Sequence, residues 1–356
     1  MNGAARVEEV NERIKILSDL SEKLRVDEND EGMEDDEHIE LDEIQLARAH
    51  WIQLYKTGMQ SAVVYNVFQN IVKEHPHMRP IWKFGKNLDD DDPNWRETME
   101  NDIHFRHHCA SVQAAITMVM ENLDDVGGMS RLLQEIGTHH FFYDAFEPHF
   151  ELMQEVFLST IKDLFEETTE FVDERLERAW LQLFTQIRAH IGHGISLQRL
   201  NYLAQCATSM EMDSVKKMWE KVNEYGTQEA GTMLCQRALQ AYDSMIKKQK
   251  ISFPINFDSQ SEMFRKFSNE VMRALEMTIQ AYDPSNGFAS LPDSMSSIVA
   301  NCMIIEVCPS LVRKAIMEGL ITMLQSIFSL SEVQIQIWSK IYRVLEQAMI
   351  YNIVNL

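Results

Sequence analysis

Phe105-Arg-His-His-Cys-Ala-Ser-Val-Gln-Ala-Ala-Ile-Thr-Met-Val119 is the stretch that decides the fold. Phe105, His108, Val112, Ala115, Ile116 and Val119 recur at intervals of three and four, the period of an α-helix with one buried face, so His108 shares a face with apolar residues. The pattern stops near Asp124 to Gly128, and a second helix starts at Ser130 with Leu132, Leu133, Ile136 and His140. Two successive helices therefore each present one imidazole inward, 32 residues apart in the chain.

The same period extends in both directions. Upstream, Leu46, His50, Trp51, Leu54 and Tyr55 precede Gly58, and Val63, Val64, Val67, Phe68, Ile71 and Val72 follow it, which predicts two helices meeting at a glycine. His75, Pro76, Pro80, the acidic run Asp89 to Asp92 and Pro93 then interrupt regular structure until about residue 100. Downstream, Pro148 opens a helix carrying Phe150, Met153, Phe157, Ile161 and Phe165. Another carries Phe171, Leu176, Trp180, Leu183, Phe184 and Ile187, with a stop expected at Gly192 and Gly194.

Composition agrees. Of 356 residues 45% are apolar and 22 are Met, while 13 Gly and 8 Pro are few for a chain of this length, which suits an all-α protein of more than one domain. A formal charge of −22 would repel phosphate backbones and anionic membranes, so no nucleic-acid partner is expected. Five cysteines (Cys109, Cys206, Cys235, Cys302, Cys308) form no CxxC pair, no signal segment opens the chain and no apolar run is long enough for a membrane span. A soluble protein in a reducing, cytoplasmic setting is the expectation. Residues 1–40, with 14 acidic and five basic side chains, read as a mostly disordered acidic tail. Val7, Val10, Ile14, Leu17 and Leu24 align within it as a short helix, transient or able to dock a partner or a second copy.

Neutral imidazole is an axial ligand for haem iron, and a porphyrin needs a flat apolar slot between helices with aromatic side chains against its faces. Phe68, Trp82, Phe84, Phe105 and Val112 are the candidates to line such a slot. Taken alone, the histidine pair reads more readily as two hydrogen-bonded core residues than as iron ligands.

The order of these features, however, resembles the globin family, in its cellular, neuroglobin-like branch. His75-Pro-His-Met-Arg-Pro-Ile-Trp82 looks like the family's entry to its third helix, Phe105-Arg-His-His108 like its distal-histidine stretch, and Ile136-Gly-Thr-His-His140 with Phe150 like its proximal motif. The resemblance covers about residues 41–195. It implies that haem b (iron protoporphyrin IX) is bound, with His140 as proximal iron ligand, His108 as distal residue and possible sixth ligand, Phe68 beside the sixth position and Val112 over the ligand. Trp82 stands where the family nearly always has Phe, which leaves Trp82 and Phe84 as alternatives for the aromatic packed on the haem. His107 and His139 compete with their neighbours, but a one-residue step turns a helical side chain by ~100°, so only one of each pair faces the slot.

The C-terminal part repeats the landmarks. Trp51 and Gly58 are matched by Trp219 and Gly226, Phe105-Arg106 by Phe264-Arg265, and Pro148 and Trp180 by Pro309 and Trp338. Residues 205–356 thus read as a second, divergent globin-like domain, giving two globin-like helical domains in tandem. Its distal position falls on Phe267 and its proximal one on Asn301, next to Cys302. No histidine follows His193, so this domain is expected to be haemless, its slot filled by Phe267, Met263, Met272 and Leu275. Cys302 and Cys308 remain as thiols, inert, redox-responsive or, for Cys302, a thiolate ligand.

The function these readings imply is binding of a diatomic gas (O2, CO or NO), or an Fe(II)/Fe(III) change, passed to the second domain as an intracellular gas or redox signal. Oxygen carriage and a scaffold role are the alternatives. No Gly-rich dinucleotide or flavin fingerprint is present, so an enzyme is not expected, although the resemblance implies weak nitric oxide dioxygenation or nitrite reduction. Protein partners or self-association would use the second domain or the N-terminal helix.

Overall fold

The computed structural model describes residues 36–89, 92–165, 174–249, 258, 261–302 and 309–354. Among the described residues there is no β-strand, and the fold is all-α. The N-terminal pattern Val7 to Leu24 and Cys308 lie outside the described residues, as do the side chains of Asn301 and Cys302.

Two hydrophobic cores follow one another along the chain. The first runs from Ile44 to Ile195. It is built from α1 (Asp36–Lys56), α2 (Gln60–Glu74), two 3-10 turns (Pro76–Ile81 and Gly85–Asn87), α3 (Trp95–Asn101), α4 (Ile103–Glu121), α5 (Val126–Phe142), α6 (Glu147–Phe165) and α7 (Glu174–Gln205). The second runs from Leu203 to Ala348. Its helices are α8 (Ser209–Tyr225), α9 (Thr227–Lys248), α10 (Glu262–Gln280), α11 (Leu291–Cys302), α12 (Pro309–Ile327) and α13 (Glu332–Val354).

Local chemistry sets the helix starts that matter for the site. The Asp102 carboxylate caps α4 by accepting from the amides of His104 and Phe105 at 2.7 and 3.1 Å, and Asp125 caps α5 through Gly128 at 2.8 Å. Each cap fixes the rotation of a helix bearing one of the two histidines. Thr208 and Glu211 form a capping box at the head of α8.

The sequence expectation for Gly192 and Gly194 is corrected. Both lie inside α7, which continues to Gln205. Gly194 is a contact point: a Cβ built there would lie 1.9 Å from the Gln134 carbonyl oxygen of α5, and one at Gly137 of α5 would lie 2.1 Å from the Ile191 carbonyl oxygen of α7. The two helices cross backbone to backbone at reciprocal glycines, and this crossing seats α5, with His140 one turn further on. Tyr55 is a second correction. It does not share the buried face of Trp51 and Leu54 but is 73% exposed. The expected irregular stretch between α2 and α4 is structured as the two 3-10 turns and α3.

The helices pair in the same way in both halves. In the first, α2 packs on α4 and α6, and α5 on α7; in the second, α9 packs on α10 and α12, and α11 on α13. Trp51 and Trp180 meet with ring centroids 6.1 Å apart, as do Trp219 and Trp338. The slot of the second half is not filled as expected. Met272 and Leu275 are buried and Phe267, four residues after Met263, is half-buried, but Met263 is 65% exposed. In that first turn of α10 it is the adjacent Phe264, fully buried, that faces the core.

Candidate functional site

The candidate site is assembled from α2, the 3-10 turns, α4, α5 and α6. Arg79 is almost fully buried and donates from Nε to the Val72 carbonyl at 2.7 Å, pinning the first turn onto the end of α2. The chain then passes so close to itself that a Cβ at Gly85 would lie 2.5 Å from the Arg79 carbonyl oxygen. That close approach holds Trp82 and Phe84 together, stacked at 5.6 Å and 12°.

His108 faces this aromatic wall. Its ring lies 4.6 Å from Phe68 and 5.9 Å from both Trp82 and Phe84. Phe105, one turn earlier on α4, is fully buried against Phe84 and Tyr65 at 5.3 and 5.0 Å, and Val112, one turn later, is half-buried against the same core. Trp82 and Phe84 therefore both reach His108, Phe84 the more buried of the two. Burial, and secondarily a positive charge on His140, drive the pKa of His108 down to about 4. The imidazole is neutral at physiological pH and keeps a lone pair.

His140 is placed at the last turn of α5 with its ring 5.3 Å from Phe150 and 6.3 Å from Tyr143. Nδ1 lies 2.8 Å from the Ile136 carbonyl oxygen. A carbonyl only accepts, so Nδ1 carries the proton and Nε2 bears the lone pair, the tautomer an iron ligand needs. Burial lowers its pKa, opposed by that hydrogen bond. Its neighbour His139 instead points outward, 65% exposed and 3.9 Å from Glu135. Cys109, buried one turn after Phe105 on α4, has its thiol pushed up to about 12 by burial, which disfavours the reactive thiolate.

The site also has members that spacing did not reveal. Immediately after α5, Asp144 adopts a left-handed backbone (φ 61°). Its carboxylate accepts from Arg313 of α12 at 2.8 Å and lies 3.6 Å from Arg343 of α13. Arg343 also donates to the Phe141 carbonyl at 3.2 Å and stacks over the Phe141 and Tyr202 rings. The turn that follows His140 is thus gripped by two arginines of the second half. The sequence signal was the charged pair Arg313-Lys314 between the apolar residues Leu311, Val312, Ala315 and Ile316. His149, two residues into α6, has its pKa pushed down to about 4, chiefly by burial and then by His77.

Comparison with known proteins places this architecture. A family model described as Globin matches residues 65–191. Among curated proteins, the chain is similar to Cytoglobin-2 of Danio rerio, 28% identical over 173 residues that make up 48% of this chain and 90% of that protein. Cytoglobin-2 of Oryzias latipes is 26% identical over 152 residues, 42% of this chain and 78% of the relative. The family match runs from within α2 into α7, a segment that carries both histidines, the aromatic wall and Gly137, while Gly194 lies just beyond it. Over residues 65–191, then, this chain is similar to the globin family.

Proposed function

We propose that the chain is a haem-based gas or redox sensor, in which the first half holds haem b and the second, a divergent globin-like domain without a histidine ligand, receives the signal. The donor set fits the group: a neutral His140 with its lone pair on Nε2, a neutral His108 opposite, and an apolar slot walled by Phe68, Trp82, Phe84 and Phe105. When bound, haem b supplies an iron centre that takes a diatomic gas and moves between ferrous and ferric. The protein's part is to hold His140 in one tautomer and orientation through Ile136, to bring His108 and Val112 over the opposite face, and to keep water out with aromatic rings. No dinucleotide or flavin motif stands beside it, so the reading is of a binding protein rather than an enzyme.

The observation that carries the sensor reading is the grip of Arg343 and Arg313 on Phe141 and Asp144, one and four residues beyond His140. Any shift of α5 that accompanies a change at His140 alters these two contacts, and both arginines belong to the other core. A signal needs such a two-state contact that both sites bias. Hydrogen exchange of the full, haem-loaded ferrous chain with and without carbon monoxide tests it. The reading expects changed protection in α12 and α13, abolished in an Arg313→Gln, Arg343→Gln variant. Changes confined to residues 44–195 would leave gas carriage without signalling and overturn the sensor role.

A further inference from the structure

A cavity of about 710 Å³ lies across the boundary between the two cores. The second half contributes an apolar group to its lining, Leu239, Phe267, Val271, Ala274, Ile316 and Met349. Phe267 and Val271 stand four apart on α10, as His108 and Val112 do on α4, so the cavity occupies the slot that the second half leaves where the first presents its imidazole. The first half adds Lys86, His77 and His149 beside Met78, Ile81 and Leu152, and the second half adds Arg313 and Lys314.

The lining combines apolar and polar side chains. Pockets of ~300–1,000 Å³ hold small organic ligands, and an apolar lining with a few grouped polar atoms selects an amphiphile. The acidic side chains on the lining each have an arginine at hand: Asp144 and Glu346 meet Arg313 at 2.8 and 3.1 Å, and Glu270 meets Arg273 at 3.5 Å. Arg313 is shared by two of these carboxylates, and the exposed Lys86 and Lys314 add positive charge to the lining. His77 and His149, both with pKa values lowered by burial, are neutral there and offer N–H donors.

We propose that this cavity is a binding site for a long-chain carboxylic acid, with the hydrocarbon tail in the second half's slot and the carboxylate at the boundary beside Lys86. The site goes beyond the haem reading and requires no haem. Because the cavity is walled by both halves, its occupant also bears on Asp144 and Arg313, the contacts that join them.

Titration of the full, haem-loaded chain with cis-parinaric acid, followed by the fluorescence of the probe, tests this. The expected result is saturable binding of one probe per chain. Val271→Phe and Ile316→Phe, which fill the apolar part, should each weaken it by about tenfold, equivalent to ~1.4 kcal/mol, with helical circular dichroism unchanged. Lys86→Glu, on the exposed rim where folding is not at risk, should weaken the acid but leave its methyl ester unaffected. Absence of saturable binding, binding indifferent to Lys86→Glu and to both filling variants, or binding seen only in haem-free protein and lost on haem loading would each overturn the proposal. The last outcome would place the probe in the first half's slot instead.

Discussion

The Asp144 carboxylate accepts a hydrogen bond from Arg313 at 2.8 Å, joining the turn that ends the His140 helix to a helix of the other core, 169 residues further along the chain. Asp144 is held at φ 61°, a conformation that Asn and Asp tolerate better than other side chains. Asp144→Asn should therefore keep the turn while removing the charge. Both partners are partly buried, so the expected loss is about 1–2 kcal/mol of unfolding free energy. Arg313→Gln should cost a similar amount, and the double variant less than the sum of the two. Strict additivity in a urea-denaturation cycle would show that the pair is not an energetic link between the cores.

The crossing of Gly137 and Gly194 leads to a sharper expectation. A methyl group at either position meets carbonyl oxygen of the facing helix at about 2 Å, and backbone cannot step aside as a flexible side chain does. Gly137→Ala or Gly194→Ala should destabilise the fold by about 1–3 kcal/mol even though alanine favours helix, and should speed haem loss, since α5 carries His140. Gly127→Ala, near the start of the same helix, meets no atom closer than 3.7 Å and serves as the control. Equal stability of Gly137→Ala and Gly127→Ala would remove the packing argument.

Acid stability follows from groups whose pKa values move in opposite directions. His108 and His149 fall to about 4 on folding, so between pH 6.5 and 4.5 the unfolded chain binds more protons at these sites and stability declines as pH falls. Glu346 is raised to about 7, chiefly by burial, so the folded chain holds its proton in that window and stability from this group declines as pH rises. His77, His140 and His190 are lowered as well, so the histidines outnumber the one carboxyl and the haem-free protein loses stability as pH falls through this window. Glu346→Gln should steepen the slope, and His149→Gln should flatten it. Urea midpoints at pH 6.5, 5.5 and 4.5 read both, and a slope that neither variant alters would contradict the assignment.

Much of the architecture was legible in the order of residues because helical period and caps are local. The inward faces of α2, α4, α5 and α6 follow from three-and-four spacing, and a pair of tryptophans in contact recurs in each core. The glycines of α7 misled, because sequence shows the conformational freedom of glycine but not the neighbour that demands its missing side chain. Tyr55 misled for a related reason: a large side chain one residue from a buried Leu54 looks apolar in a window and turns out to face solvent. For the site, spacing identified His108 and His140 and the aromatic residues around them, while the structure separates His140 from an outward His139 and brings both Trp82 and Phe84 to His108. What spacing could not reach was the arginine grip on Phe141 and Asp144, since contacts across some 200 residues leave no local period.

The absorption spectrum of the haem-reconstituted full chain, ferric and then reduced, tests the central claim most directly, with His140→Ala, His139→Ala and His108→Ala alongside. The account predicts a Soret band that is lost or strongly weakened in His140→Ala and unchanged in His139→Ala. In His108→Ala the band should persist, and the split visible bands of the reduced form should be lost if both imidazoles hold the iron. A chain that shows no Soret band, or whose spectrum survives His140→Ala intact, would contradict the assignment of His140 and with it the reading of this chain as a haem protein.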